Sequence, residues 1–186
     1  MNYRNRQWKV LESTFVLNNP WYKVRKDKVL LPNGVVIEDY FVSELKDVAM
    51  VFAITKSNDV VFVRQYRHPA KRVLLELPAG IYSRGESAKG VASLELLEET
   101  GYKAKKLTSL SRILEYPTKD SHKIHLFLAK DVILTKLAKP EATEDIEVVL
   151  IPINNLLKLV KDGNIFVGGT ISCITKALLY LNEIDL

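Results

Sequence analysis

The chain has 186 residues and a mass of 21.1 kDa, enough for one domain with a small appendage. Hydrophobic residues make up 47% and charged residues 26%, which excludes a disordered chain, a collagen-like repeat and a disulfide scaffold. The net charge is +5, and residues 1–30 carry all of it: Arg4, Arg6, Lys9, Lys23, Arg25, Lys26 and Lys28 outweigh Glu12 and Asp27, and the remainder is balanced.

The first half reads as strands. Tyr22–Leu31 and Val35–Ser43 flank Pro32-Asn33-Gly34, and Asn-Gly favours the positive φ angles of a tight hairpin. Val48–Ile54 and Val60–Tyr66 flank the turn Lys56-Ser57-Asn58-Asp59, and Val73–Leu77 ends in Pro78-Ala79-Gly80. Over Ser87–Thr100 the spacing of Ala88, Ala92 and Leu96 predicts a helix, with Gly101 as its stop. Strand patterning returns at Leu107–Tyr116 and Lys123–Ala129, around the loop Pro117–His122, and again at Glu147–Ile151. Ile153–Lys161 and Thr170–Leu181 read as helices, the second starting at Thr170 after Gly168-Gly169. Strands mixed with helices predict an α/β domain of α+β type. A boundary near Asp47 separates an N-terminal β segment (1–46) from the main domain (47–186).

No apolar run approaches the ~20 residues of a membrane span, and MNYRNRQWKV lacks the apolar stretch of a signal peptide. The single Cys173 sits among apolar residues, as in a reducing compartment. A soluble, cytoplasmic protein is expected. The basic N-terminus invites a nucleic-acid reading, but no nucleic-acid motif accompanies it, so nucleic acid is not the expected partner. His122 and His125, three apart in one predicted strand, would face opposite ways and form no chelating pair.

The most informative stretch is Gly80–Tyr102. On a helical wheel, Glu98 and Glu99 fall at about −60° and +40° from Glu95, so three carboxylates share one arc. Like charges so placed destabilise a helix unless something neutralises them. Hard oxygen ligands suit Mg²⁺ or Mn²⁺. A solvated acidic face is the alternative from the cluster alone. Gly80 after a strand and Glu86 at the loop–helix junction favour a site.

The spacing of Gly80, Glu86, Glu95, Glu98, Glu99, Gly101 and the apolar Tyr102 resembles the box of the Nudix hydrolases. One position departs: the family's Arg is Leu94 here. An Arg four residues before Glu98 would steady that carboxylate. Arg67, Arg72, Arg84 and Lys89 are the candidates to take over.

Arg64-Gln65-Tyr66-Arg67, Glu76-Leu77-Pro78-Ala79-Gly80, Asn19-Pro20-Trp21 and Pro117 are similar to the ADP-ribose pyrophosphatases and related nucleotide-sugar hydrolases. Residues 118–122 depart from that subgroup and bear on substrate choice. The resemblance implies a mixed sheet sandwiched by helices and hydrolysis of the pyrophosphate bond of a nucleoside diphosphate sugar. It implies Glu95, Glu98, Glu99 and the Ala79 carbonyl as metal ligands, with Glu86 and Glu98 assisting catalysis. A base is expected from the loop Pro140–Ile146, where Glu141, Glu144 and Asp145 lie, with Glu144 preferred. Arg67 is the expected phosphate contact and Trp21 a candidate for stacking on the base. A homodimer joined through the N-terminal segment is also implied. Leu94 leaves open a weakened, ligand-binding module of the same fold.

Overall fold

The computed structural model describes residues 6–83, 85–139 and 143–182. Two units separate along the chain. One takes the residues up to Lys46 together with Leu114–His122; the other takes Asp47–Ile113 and the residues from Lys123 onward.

The first unit holds an antiparallel sheet of β1 (Lys9–Asn18), β2 (Lys23–Leu30) and β3 (Val36–Ser43), in that order. Gly34, at φ +87°, makes the expected β2–β3 turn. Strand β1 enlarges the expected hairpin to three strands. Its apolar residues Val10, Leu11, Phe15, Val16 and Leu17 do not alternate, and all ten of its residues are exposed, so no inward face marks it in the sequence. Residues 114–122 join β3: Ser43 N–H donates to the Lys119 carbonyl (2.8 Å), and Tyr40 Oη to that of Thr118 (2.6 Å). The strand expected to reach Tyr116 therefore stops earlier. Part of the basic charge is already answered here, since Arg25 pairs with Asp27 and Glu44, and Lys28 with Glu38.

The second unit is built on the uninterrupted apolar run of β4 (Val48–Thr55). Such a run suits a strand covered on both faces, and every residue of β4 after Val48 is buried. Around it lie β5 (Asp59–Arg67), β6 (Arg72–Glu76), β7 (Ala79–Ile81), α1 (Ala88–Thr100), β8 (Tyr102–Lys103), β9 (Leu107–Ile113), β10 (Ile124–Leu134), β11 (Ile146–Pro152), α2 (Leu156–Lys161) and α3 (Gly168–Leu181). The central order is β11-β5-β4-β10-β8, with β6 on β5, β7 on β4 and β9 on β10. β4 and β10 run parallel and the other pairs antiparallel, which makes the sheet mixed. Ala49, Val51 and Ala53 pack with Ala92 and Leu96 of α1. Met50, Phe52 and Ile54 pack on the other face with Ile174, Ala177 and Leu178 of α3. The period-two alternation of one strand thus builds a helix–sheet–helix sandwich.

Two expectations need correction. α3 starts at Gly168, and Thr170 lies inside it, buried, its hydroxyl accepting the Leu77 N–H at 3.3 Å. His122 precedes β10 and lies buried with Nε2 4.0 Å from Glu115, so it does not share a strand with His125. Cys173 is fully buried in the α3-side core, and burial pushes its thiol up to about 12, so it stays protonated and inert.

Candidate active site

Helix α1 is fixed at both ends and along one side. Ser87 caps it by accepting the Gly90 N–H at 3.3 Å, and Gly101 closes it at φ +76°. A Cβ at Gly101 would lie 2.1 Å from the Lys136 carbonyl oxygen. Ala92 and Leu96, both at 0% exposure, anchor the helix to the sheet and set its rotation. That rotation brings Glu95 and Glu99 onto β7.

Glu95 lies directly over Gly80: a Cβ there would fall 2.0 Å from its Oε1. Only glycine leaves the carboxylate room to cross the strand. Glu99, at 3% exposure, accepts the Ala79 N–H at 3.2 Å. Its pKa is pushed up to about 8, first by burial and then by the charge of Glu95. The Ala79 N–H opposes that rise, Glu144 adds to it and Arg67 opposes it.

Of the other candidates, Glu144 and Arg67 act on Glu99. Glu144 lies just before β11 and reaches Glu99 through its charge. Glu98 is partly buried, and its main-chain carbonyl accepts the Lys139 N–H at 2.8 Å. Glu86 is turned back into its own loop, where its carboxylate accepts the Ser83 N–H. Trp21 belongs to the N-terminal unit and is 92% exposed. Glu141 and Arg84 lie outside the described residues.

Leu94 is 50% exposed. Among the described candidates to replace the box Arg, Arg67 is the one whose charge reaches Glu99. It stands at the end of β5, its Nε donating to Glu76 at 2.7 Å. Arg72 instead lies over the ring of Phe166, 5.7 Å from its centroid. Lys89 sits beside Ser93, Lys105 and Lys106. Sequence reasoning missed Glu76 as part of this arrangement. Its signal was its place four residues before Gly80, in the run that leads into the box.

Among the described residues, no three Asp, Glu, His or Cys side chains converge as a closed metal cage. The donor chemistry nevertheless fits a divalent cation. The carboxylate oxygens of Glu95 and Glu99 meet β7 at Gly80 and Ala79, and Glu99 is kept protonated near neutrality by burial beside a like charge.

A family model described as the NUDIX domain matches residues 44–167. The chain belongs to the Nudix hydrolase family. A second model, the nucleoside diphosphate sugar hydrolase N-terminal domain, matches residues 8–43. An ADP-ribose pyrophosphatase of Bacillus subtilis is 34% identical over 145 residues, covering 77% of this chain and 78% of that protein. A methanol dehydrogenase activator of Bacillus methanolicus is 29% identical, covering 89% and 90%. A GDP-mannose pyrophosphatase of Yersinia pestis is 27% identical, covering 89% of each chain. A crystal structure of an ADP compounds hydrolase superimposes with a TM-score of 0.82, covering 96% of each chain at 21% identity, and shares the fold. Members of the family generally act with a divalent metal. Among the described residues, no helix is long and apolar enough to cross a membrane.

Proposed function

We propose that this Nudix hydrolase cleaves the pyrophosphate bond of ADP-ribose or a related nucleoside diphosphate sugar with Mg²⁺ or Mn²⁺, acting in the cytoplasm as a homodimer. The observation that carries this reading is the packing of Glu95 across Gly80 beside buried Glu99 on the Ala79 N–H. Glu95, Glu98, Glu99 and the Ala79 carbonyl would hold the ion. When bound, a divalent ion supplies positive charge to the phosphate oxygens and lowers the pKa of water.

The chain's own groups then have distinct tasks. Glu144 accepts the proton of the attacking water, and Glu86 and Glu98 assist. The water oxygen bonds to one phosphorus, and the bridging oxygen leaves with the other phosphate. The products are a nucleoside monophosphate and a sugar phosphate. Arg67 pairs phosphate oxygens with the guanidinium nitrogens not engaged by Glu76. Residues 1–46 serve dimerisation and base recognition, with Trp21 stacking on the base, and residues 47–186 serve the chemistry. The nucleoside diphosphate sugar relatives and the matching N-terminal family model support this substrate class.

A screen of nucleoside diphosphate compounds with Mg²⁺ or Mn²⁺, reading phosphate-ester products, tests the proposal. Metal-dependent turnover nearly abolished by Glu99→Gln is expected. Turnover without metal, or untouched by that change, overturns it. Exposed Leu94 favours one second reading, a module that binds the same ligands but cleaves them slowly. In that case ligand raises the melting temperature without product, and Leu94→Arg increases turnover.

A further inference from the structure

Strand β7 is only three residues long, yet Ala79 must meet Glu99 and Gly80 must lie under Glu95. Three-residue pairing specifies register weakly, and a slip by one residue would reverse every side chain. Val51 N–H donates to the Pro78 carbonyl at 3.0 Å and holds the start of the strand. Asp47 holds its end. The Asp47 carbonyl accepts the Tyr82 N–H at 3.0 Å, and Asp47 Oδ2 lies 3.4 Å from Tyr82 Oη. The other carboxylate oxygen, Oδ1, accepts the Lys123 N–H at 2.8 Å, where the chain enters β10. His125 of β10 closes the cluster, its Nε2 3.8 Å from Asp47 Oδ2 and its ring edge-on to Tyr82 at 5.6 Å. One half-exposed aspartate therefore ties the loop after Gly80 to the neighbouring parallel strand.

We infer that Asp47 is a positioning residue for the metal site: through Tyr82 and the entry of β10 it fixes the register of Ala79–Ile81, and so the place of Gly80 under Glu95 and of Ala79 against Glu99. The inference rests on the metal-site reading above. It adds a residue that lies outside the box and donates nothing to the metal. Lost outer contacts of this kind weaken metal binding by about 10- to 100-fold.

Calorimetric titration of the full chain with Mn²⁺ tests it without relying on turnover. Asp47→Ala should weaken Mn²⁺ affinity about tenfold. Asp47→Asn, which keeps an acceptor for Lys123 or Tyr82, should restore most of it. Tyr82→Leu, titrated in parallel in case Asp47→Ala fails to fold, should weaken binding in the same direction. In turnover assays the metal concentration for half-maximal rate should rise while the substrate KM at saturating metal stays the same. Unchanged Mn²⁺ affinity in folded Asp47→Ala, or in Tyr82→Leu, overturns the inference. Loss that Asp47→Asn does not recover also overturns it. If the wild type binds Mn²⁺ but cleaves no nucleoside diphosphate compound, the functional reading fails while the role of Asp47 is still read from the titration. If the wild type binds no Mn²⁺, both fail.

Discussion

Glu99 makes the metal-free protein's stability fall as pH rises, and the size of the effect follows from its burial. In the unfolded chain its carboxyl ionises near its ordinary value of 4.5; in the folded chain it ionises near 8. Between those values the unfolded state has released a proton that the folded state still holds. Unfolding therefore becomes easier with rising pH, at roughly 1.4 kcal/mol per pH unit from this group. Stability from this source is full below pH ~4.5 and is lost progressively up to pH ~8, with about 3 kcal/mol gone by pH 7. Glu99→Gln carries no proton to exchange. Urea denaturation of metal-free wild type and Glu99→Gln at pH 5, 6, 7 and 8 should thus give curves that diverge, the variant gaining on the wild type with each step.

In the proposed metal site the same group links metal to protons. A ligand held protonated at pH 7 must release its proton when a cation binds. Mn²⁺ affinity should climb about tenfold per pH unit from pH 6 towards 8 and then level off. Calorimetry in buffers of different ionisation enthalpy should count about one proton released per ion at pH 7. Parallel stability curves for the two proteins, together with Mn²⁺ affinity flat from pH 6 to 8, would refute the assignment of a buried, proton-holding ligand.

Three further outcomes follow from the same packing. Gly80→Ala places a Cβ 2.0–2.3 Å from Glu95 Oε1, Cδ and Cγ, and so must push that side chain off β7; turnover should drop about 100-fold, with little change in melting temperature because the displaced group can swing to solvent. Gly101→Ala meets a positive φ and the backbone carbonyl of Lys136, neither of which gives way, so it should cost about 2 kcal/mol or more and lower the melting temperature by several degrees in a thermal scan. Arg67→Ala removes a charge that favours ionised Glu99, so the pH at which Mn²⁺ affinity levels off should move upward, and Arg67→Lys should not restore the substrate KM because its ammonium cannot pair two oxygens side by side.

Elements with strong periodicity or terminal chemistry were legible in the sequence. Helix α1 announced itself through Ala88, Ala92 and Leu96, and began and ended at Ser87 and Gly101 as those residues predict. The β2–β3 turn followed from Asn33-Gly34, and β4 from its apolar run. Strand β1 was not legible because an edge strand with every residue exposed has no buried face to pattern it. Strands β7 and β8 were too short to carry a period. The acidic arc of α1 was legible, but the difference between its members was not. Glu99 is buried on Ala79 while Glu98 remains partly exposed, and that follows from the rotation of α1 set by buried Ala92 and Leu96. Arg67 was legible through the resemblance, but its pairing with Glu76 and the contacts of Asp47 with Tyr82 and Lys123 arise from how the strands are laid side by side, which spacing along the chain does not encode.

Leu94 gains a physical meaning from that pairing. In the box pattern, the compensating charge sits one turn along the same helix, where helix geometry alone delivers it. Here, among the described residues, the cation that reaches Glu99 is Arg67, on β5, and it is held by Glu76 on β6. The β5–β6 register places Glu76 opposite Val63 and Arg67 opposite Arg72, so Arg67 and Glu76 share one face of that hairpin. The compensating charge at Glu99 therefore comes from sheet register, while the like charge of Glu95 that it opposes comes from the helix itself. Substitutions that loosen the β5–β6 hairpin should disturb the metal site without touching α1, whereas Leu94→Arg would place a new cation on the exposed side of the helix while Arg67 is still present. A gain from Leu94→Arg in wild type that is no larger in Arg67→Ala would mean the two cations act independently; a much larger gain in Arg67→Ala would mean that they answer the same carboxylates.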